Sequence, residues 1–387
     1  MTGKRGGPQS IGVFTGMVAM AAMSIAPAQA GEFEWGGFAS VVAGAVIDSD
    51  NPPDELYANP EYDDCPCAIT DWSNAGIYEG SHWTLKPDTK IGLQASYYFN
   101  DTWSTTAQIV SRGTDTDPDL DWAYVSVQLS DSVKLDLGRK RIPLYFYSDF
   151  QDVGYAYPWI TPPDELYGWE HTNYNGGSIS YSFGGDGAHI ITSIFAGWDD
   201  VNDNPYMETW NDVKADTEWN DMIGWDVEVS KDWWTFRFVY VRANASFTYD
   251  DPDYDYDENV EALGVAFNAD WGRVFMLSEA GDNRRINEDD GDYYNYHALA
   301  YSVGLGYRLT DDWILFANYS NYKEIYDYDE DAYRYNTSSL TVRYNFYEGM
   351  AVKVQFDLMD DDSDKDAGDS VFTESYQLLR VSYDVVF

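Results

Sequence analysis

At 387 residues the chain can hold one large domain or two ordinary ones. Its 67 acidic residues outnumber 23 basic ones, and a formal net charge of −44 repels phosphate, which excludes nonspecific binding to nucleic acid. With 33 Tyr and 15 Trp it carries too much aromatic surface to stay unfolded despite that charge.

The first element is a leader. Lys4 and Arg5 precede an apolar run over 11–26, followed by Ala28-Gln29-Ala30, which predicts a secretory signal peptide at 1–30 cleaved after Ala30. The run is shorter than the ~20 residues a spanning helix needs. Export of the remaining 31–387 places Cys65 and Cys67 in an oxidising compartment. Two cysteines flanking Pro66 are too few for a disulfide framework, so a local disulfide is expected. They also lack the neighbouring thiols or imidazoles of a metal site.

From about residue 90 one pattern recurs. YYFNDTWST, VQLSDSVKL, SFGGDGAHI, VEVSKDWWT, AFNADWGRV, YRLTDDWIL and YNFYEGMAV each read as strand, tight turn, strand. Several of the turns lead into a tryptophan: Trp103, Trp233, Trp271 and Trp313. The strands alternate with period two. Ile91, Leu93, Ala95, Tyr97 and Phe99 share one face opposite Gln94 and Ser96, and Val352, Val354, Phe356 and Leu358 oppose Lys353, Gln355 and Asp357. Longer acidic segments separate the hairpins at 48–89, 112–119, 142–175, 198–220, 246–259, 280–294, 321–334 and 359–373. Seven tight turns and eight loops imply sixteen strands, the first over about 32–47 and the last over 374–387.

Short turns at one end, long loops at the other, an even strand count and dyad alternation are the marks of an all-β, antiparallel transmembrane barrel. An open sheet edge in hydrocarbon would leave unpaired backbone groups costing several kcal/mol each, so the first and last strands must pair. The last strand alternates to its end. Gln377, Leu379, Val381, Tyr383, Val385 and Phe387 form one face, and Arg380, Ser382 and Asp384 mark the other.

A barrel of this size leaves a lumen, so the inward face should be polar. The parity of the strands places Arg112, Lys134, Lys140, Arg237, Arg308, Arg343, Lys353 and Arg380 inward, with Asp136, Asp226, Glu228 and Asp357. The third long loop, 142–175, is too aromatic to hang in solvent: Tyr145, Phe146, Tyr147, Phe150, Tyr155, Tyr157, Trp159 and Tyr167 call for burial. The expectation is that it folds into the lumen as a constriction. Its acids Asp149, Asp152, Asp164 and Glu165 would then face the basic wall residues Arg112, Lys140, Arg237 and Arg343 across the gap.

Leu137-Gly138-Arg139 followed by Pro143-Leu144-Tyr145 resembles the LGR…PLY start of the third loop in the Gram-negative porin family. The strand count agrees, and Phe387 at the end of the last strand resembles the assembly signal that insertion machinery reads on such barrels. The resemblance implies a homotrimeric, water-filled diffusion channel of the outer membrane, in contact with lipopolysaccharide and narrowed by loop three. The acidic motif that enteric porins carry on that loop is absent. Small hydrophilic solutes would pass by diffusion, with a weak cation preference set by the acidic mouth. The alternative is a solute-specific channel that stacks sugars on the aromatic loop.

No cofactor is expected. DDPDYDYDENVE, YDYDEDAY and DDDSDKDAGD fail the EF-hand pattern and read as solvated loops, with at most weak Ca2+ or Mg2+ binding at the surface. A barrel hydrolase would need a base beside a nucleophile, and His82, His171, His189 and His297 sit in no such motif.

Overall fold

The computed structural model describes residues 31–49, 67–115, 117–185, 187–211, 213–287, 295–326, 333–363 and 375–387. The leader expected over 1–30 and Cys65 lie outside them. Eighteen strands occur among these residues: β1 Glu32–Ser49, β2 Cys67–Asp71, β3 Gly76–Glu79, β4 Lys90–Tyr98, β5 Trp103–Arg112, β6 Asp119–Ser130, β7 Val133–Arg141, β8 Asn173–Gly185 and β9 Ala188–Val201, then β10 Ala215–Lys231, β11 Trp234–Tyr249, β12 Tyr256–Asp270, β13 Val274–Asn287, β14 Tyr296–Arg308, β15 Trp313–Tyr326, β16 Tyr333–Tyr347, β17 Met350–Asp361 and β18 Tyr376–Val386. Sixteen close one antiparallel barrel in chain order, β1 joining β4 on one side and β18 on the other. The remaining two, β2 and β3, form a small separate hairpin in the first long loop. Two short helices, α1 (Asp164–Tyr167) and α2 (Pro205–Asn211), also belong to loops. No helix among the described residues is long and apolar enough to cross a membrane.

The barrel inverts the usual distribution of apolar side chains. Ile91, Leu93, Ile179, Ile194, Leu263, Val303, Leu305, Val354 and Leu358 all stand exposed on the outer face, where lipid covers them. Lys90, Arg112, Asp136, Arg237, Lys353, Asp357 and Arg380 are buried on the inner face. At the short-turn end, side chains fix the hairpins. Asn100 Oδ1 accepts from the backbone of Thr102 and Trp103 at 2.9 Å each, and Thr310 Oγ1 does the same for Asp312 and Trp313. The tryptophans that follow these turns are exposed, as in an interfacial girdle, and Trp233 and Trp271 lie 5.7 Å apart.

The seam closes at the end of the chain. Phe387 N donates to the Gly37 carbonyl at 3.0 Å, and Gly37 N donates to the Phe387 carbonyl at 2.9 Å. Gly37 has to be glycine, because a Cβ there would stand 2.6 Å from the Gly92 carbonyl oxygen and 2.8 Å from the Phe387 ring. Phe387 is exposed and packs edge-on to Trp35 with ring centroids 6.4 Å apart.

The wall is uneven. β4 to β7 run 9 to 12 residues, whereas β8 to β16 run 13 to 17. Several loops are shorter than the sequence pattern implies. The loop expected over 246–259 covers only 250–255, because β11 and β12 continue above the apolar belt. Backbone pairing needs no apolar face, so hydrophobic alternation underestimates these strands.

Candidate pore constriction

The third long loop leaves β7 at Arg141 and returns at Asn173, its base closed by Ile142 N donating to the Thr172 carbonyl at 2.9 Å. Every residue from 142 to 172 is buried or half-buried, so the loop lies inside the barrel. Its first turn crosses to β12 and β13. An added Cβ at Gly264 would strike the Leu144 carbonyl, and one at Gly281 would strike the Tyr145 hydroxyl, so the two glycines form the cradle that admits the loop. Phe146 N and the Tyr167 hydroxyl both donate to Glu279, at 2.8 and 2.9 Å.

Aromatic rings then fill the turn. Tyr147 sits among Phe146, Phe150, Tyr157 and Trp159 at centroid distances of 5.0 to 5.9 Å, and Trp159 packs on Phe316 of β15 at 5.0 Å. Among the described residues the largest apolar cluster includes this packing, assembled from the loop and small inward residues such as Ala243 and Ala262.

Wall cations hold the loop by its main chain. Arg237 donates to the Pro143 carbonyl at 3.1 Å and Arg343 to the Tyr157 carbonyl at 2.8 Å. Lys353, wholly buried, donates to the carbonyls of Gly154 and Trp159 at 2.6 Å each and lies 3.2 Å from Asp384. Arg380 reaches Thr161 Oγ1 at 2.8 Å while paired with Asp357 and Asp88.

The four acids expected to face the basic wall across the gap occupy three different environments. Asp152 meets Lys90 at 3.2 Å, Arg112 at 2.8 Å and Arg141 in direct ion pairs. Burial alone would raise its pKa, but the three cations outweigh burial and hold it well below the usual carboxylate range. Asp164 and Glu165 lie away from that cluster, on α1. Burial pushes both upward, and for Asp164 the neighbouring Glu165 adds to the effect. Asp164 accepts from Trp72 Nε1 at 3.2 Å, and the Thr337 and Ser320 hydroxyls face Glu165. Asp149 is half-buried and is the carboxylate that Arg237 feels most strongly.

The basic residues also divide. Arg112 joins Asp152, Asp119 and Asp121, whereas Lys140 pairs with Asp136 at 2.7 Å and covers the Tyr124 ring. Arg237 and Arg343 each donate to a loop carbonyl, and Arg237 also interacts with Asp149. Two further cations of the cluster are absent from the sequence-based expectation: Lys90, which shares the inward parity of Gln94 and Ser96 at the very start of β4, and Arg141. Parity would turn Arg141 outward, but β7 ends there and the chain bends into the lumen. Cys67 is disulfide-bonded, and the chain's other cysteine, Cys65, is outside the described residues. His171 packs at a tilt against Trp219 and faces Asp199 at 3.1 Å.

Part of the inner face of β4 to β10 is wetter than the wall that seats the loop. Gln94, Tyr124, Lys134, Lys140, Ser180, Ser193 and Glu228 are only half-buried, in contrast to the buried seat along β12 to β18. Lys134 and Lys140 share Asp136 on this arc, and Asp149 projects from the loop near Asp226 and Arg237.

The sequence model of the Gram-negative porin family matches residues 15–365. No curated protein matches the chain. Among solved structures, the in-vitro folded OmpT of Vibrio cholerae in its trimer form is similar with a TM-score of 0.56 and 13% identity over 93% of this chain and 100% of that one. The outer membrane channel DcaP of Acinetobacter baumannii gives 0.57 and 10% over 92% and 98%. An anion-selective porin from Comamonas acidovorans gives 0.57 and 11% over 92% and 100%. At such identities these likenesses speak for the fold, and the family match carries the assignment. The chain belongs to the Gram-negative porin family and is a channel protein of the outer membrane.

Proposed function

We propose that the protein conducts small hydrophilic solutes and ions by passive diffusion, with a weak preference for cations, along the arc of lumen beside β4 to β10. The observation that carries this reading is the contrast between the sealed seat of the third loop and the half-buried polar lining opposite. Along that arc Lys134 and Lys140 pair with Asp136, and Arg237 interacts with Asp149, Asp226 and Glu228, four acids to three bases. The local balance at a bottleneck governs selectivity more than total charge. The sugar-slide alternative loses support, because Tyr147, Tyr157 and Trp159 are consumed in packing the loop.

A homotrimer fits the low wall over β4 to β7, whose outer face carries Ala95 paired with Ala107 and Ala107 with Ala123. Small side chains there permit close approach of a second copy. Phe387 as the assembly signal and lipopolysaccharide as the outer-leaflet neighbour belong to the same reading. Reversal potential in a salt gradient across a planar bilayer tests it. A modest cation preference with current steps in threes is expected. Anion preference would overturn the selectivity, and a folded protein that never conducts would overturn the diffusion channel.

A further inference from the structure

The third loop rests on two kinds of wall. The apolar cluster that receives 142–147 includes Val239, Val241, Ala243, Val260, Ala262 and Leu277. Around Thr161–Glu165 the wall is polar instead. Asn318, Ser320, Thr337, Ser339, Gln355 and Asp357 line, with those loop residues, a cavity of about 30 Å³, room for roughly two water molecules. Seating a chain on such a wall buries little apolar area, so something else must hold this limb down. Leu166, Tyr167 and Trp169 rejoin the apolar cluster only after it.

The β2–β3 hairpin of the first long loop supplies the hold. Thr70 of β2 lines the same cavity. Trp72, 3% exposed, donates from Nε1 to Asp164 at 3.2 Å. Ser73 Oγ donates to the Tyr167 carbonyl at 3.3 Å and accepts from Trp169 N at 2.9 Å. The fit is close: a Cβ at Gly168 would stand 2.8 Å from the Trp72 ring. The hairpin is in turn fixed to the wall. Tyr78 occupies the slot left by Gly44, where a Cβ would stand 2.5 Å from its ring. Tyr78 and Thr70 both donate to Asp88, at 2.9 and 2.8 Å, and Asp88 pairs with Arg380. Tyr376 donates to the Ile69 carbonyl at 3.0 Å, and α2 lies against the turn at 72–74.

We infer that this hairpin is a second constriction element, in which Trp72 is the positioning residue that keeps the returning limb of the third loop seated and the polar recess along β15 to β18 shut. With the limb lifted, that wall can face water without leaving an apolar surface wet, so the recess would join the conducting lumen. This role rests on the channel reading; the seating of the limb does not.

Thiol reactivity and single-channel conductance test it together. Ser320 lines the recess and is 1% exposed. Ser320→Cys should therefore react slowly with a charged, membrane-impermeant thiol reagent, the parent chain serving as the blank for Cys65 and Cys67. Adding Trp72→Ala should speed the reaction by about tenfold or more, because each lost contact shifts a local opening severalfold. It should also raise the conductance. Trp72→Phe, which keeps a ring and loses the Nε1 donor, should recover most of the closure. Glu79→Gln, on the exposed edge of the hairpin, should change neither readout. Unchanged reactivity in Trp72→Ala, or equal gains in Glu79→Gln, would overturn the proposal. Faster reaction with unaltered conductance would overturn it too, since the recess would then open without joining the passage. Should Trp72→Ala fail to fold, Gly168→Ala crowds the same ring and decides: parent-like reactivity and conductance refute the role. A parent that conducts while Trp72→Ala changes nothing keeps the channel and loses the second constriction. Current seen only in Trp72→Ala keeps the constriction and overturns passive diffusion through the parent.

Discussion

Two carboxylates of the same loop, Asp152 and Glu165, are equally buried and electrostatically opposite. Each is 4% exposed. Asp152 is surrounded by Lys90, Arg112 and Arg141 and is held charged. Glu165 faces hydroxyls and a carboxyl neighbour, and burial favours its neutral form. Burial alone therefore does not decide what a lumenal acid does; the number of cations within reach does. Asp152 is clamped by ion pairs, whereas Glu165 has no ion pair among the described residues.

Breaking the clamp should have the largest effect. Asp152→Asn leaves three buried cations competing for Asp71, Asp119 and Asp121, and a cost of about 3–5 kcal/mol is expected. Higher conductance and a lower thermal midpoint of the folded barrel would show it, and unchanged values would remove the clamp from the account. The pH response sharpens the point. Because the Asp152 pKa is depressed, its contribution is complete above the ordinary carboxylate range, and it is lost only as pH falls through the depressed value.

Lys353→Met should come next. It strips two loop carbonyls of their donor and strands Asp384, at about 3 kcal/mol. Gating noise in single-channel records should rise with it. A smaller cost, about 1–3 kcal/mol, is expected from Gly281→Ala, which fills the space taken by the Tyr145 hydroxyl. A thermal midpoint within error of the parent would refute the cradle.

Glu165→Gln should have the smallest effect and the opposite sign. Its raised pKa means that the seated loop is favoured below the ordinary carboxylate range and penalised as pH rises through the raised value. The glutamine should therefore stabilise the barrel by about 1 kcal/mol at neutral pH and flatten this part of the pH dependence. Thermal melts at several pH values would decide, and a steeper dependence in the variant would contradict the assignment.

The barrel is legible in the sequence because lipid and lumen impose period two on every strand, and because the Asx and Thr turns before Trp103 and Trp313 carry local signatures. The burial of the third loop is legible in its aromatic content. Its partners are not. Arg112 and Asp152 meet only once the barrel has closed, and the Pro143, Gly154, Tyr157 and Trp159 carbonyls that accept from Arg237, Lys353 and Arg343 have no side-chain code. The β2–β3 hairpin left no clear alternation in its five-residue and four-residue strands.

Those carbonyl acceptors bear on how such a channel can diversify. A contact that recognises the insert through peptide oxygens is indifferent to the side chains the insert displays at that point. Lys353 would grip the same two carbonyls whether the residues around them were acidic, basic or aromatic. Substitutions at a lumen-facing position such as Asp149 can thus accumulate without dislodging the loop. The passage can be re-tuned by ordinary point mutation while its frame stays fixed.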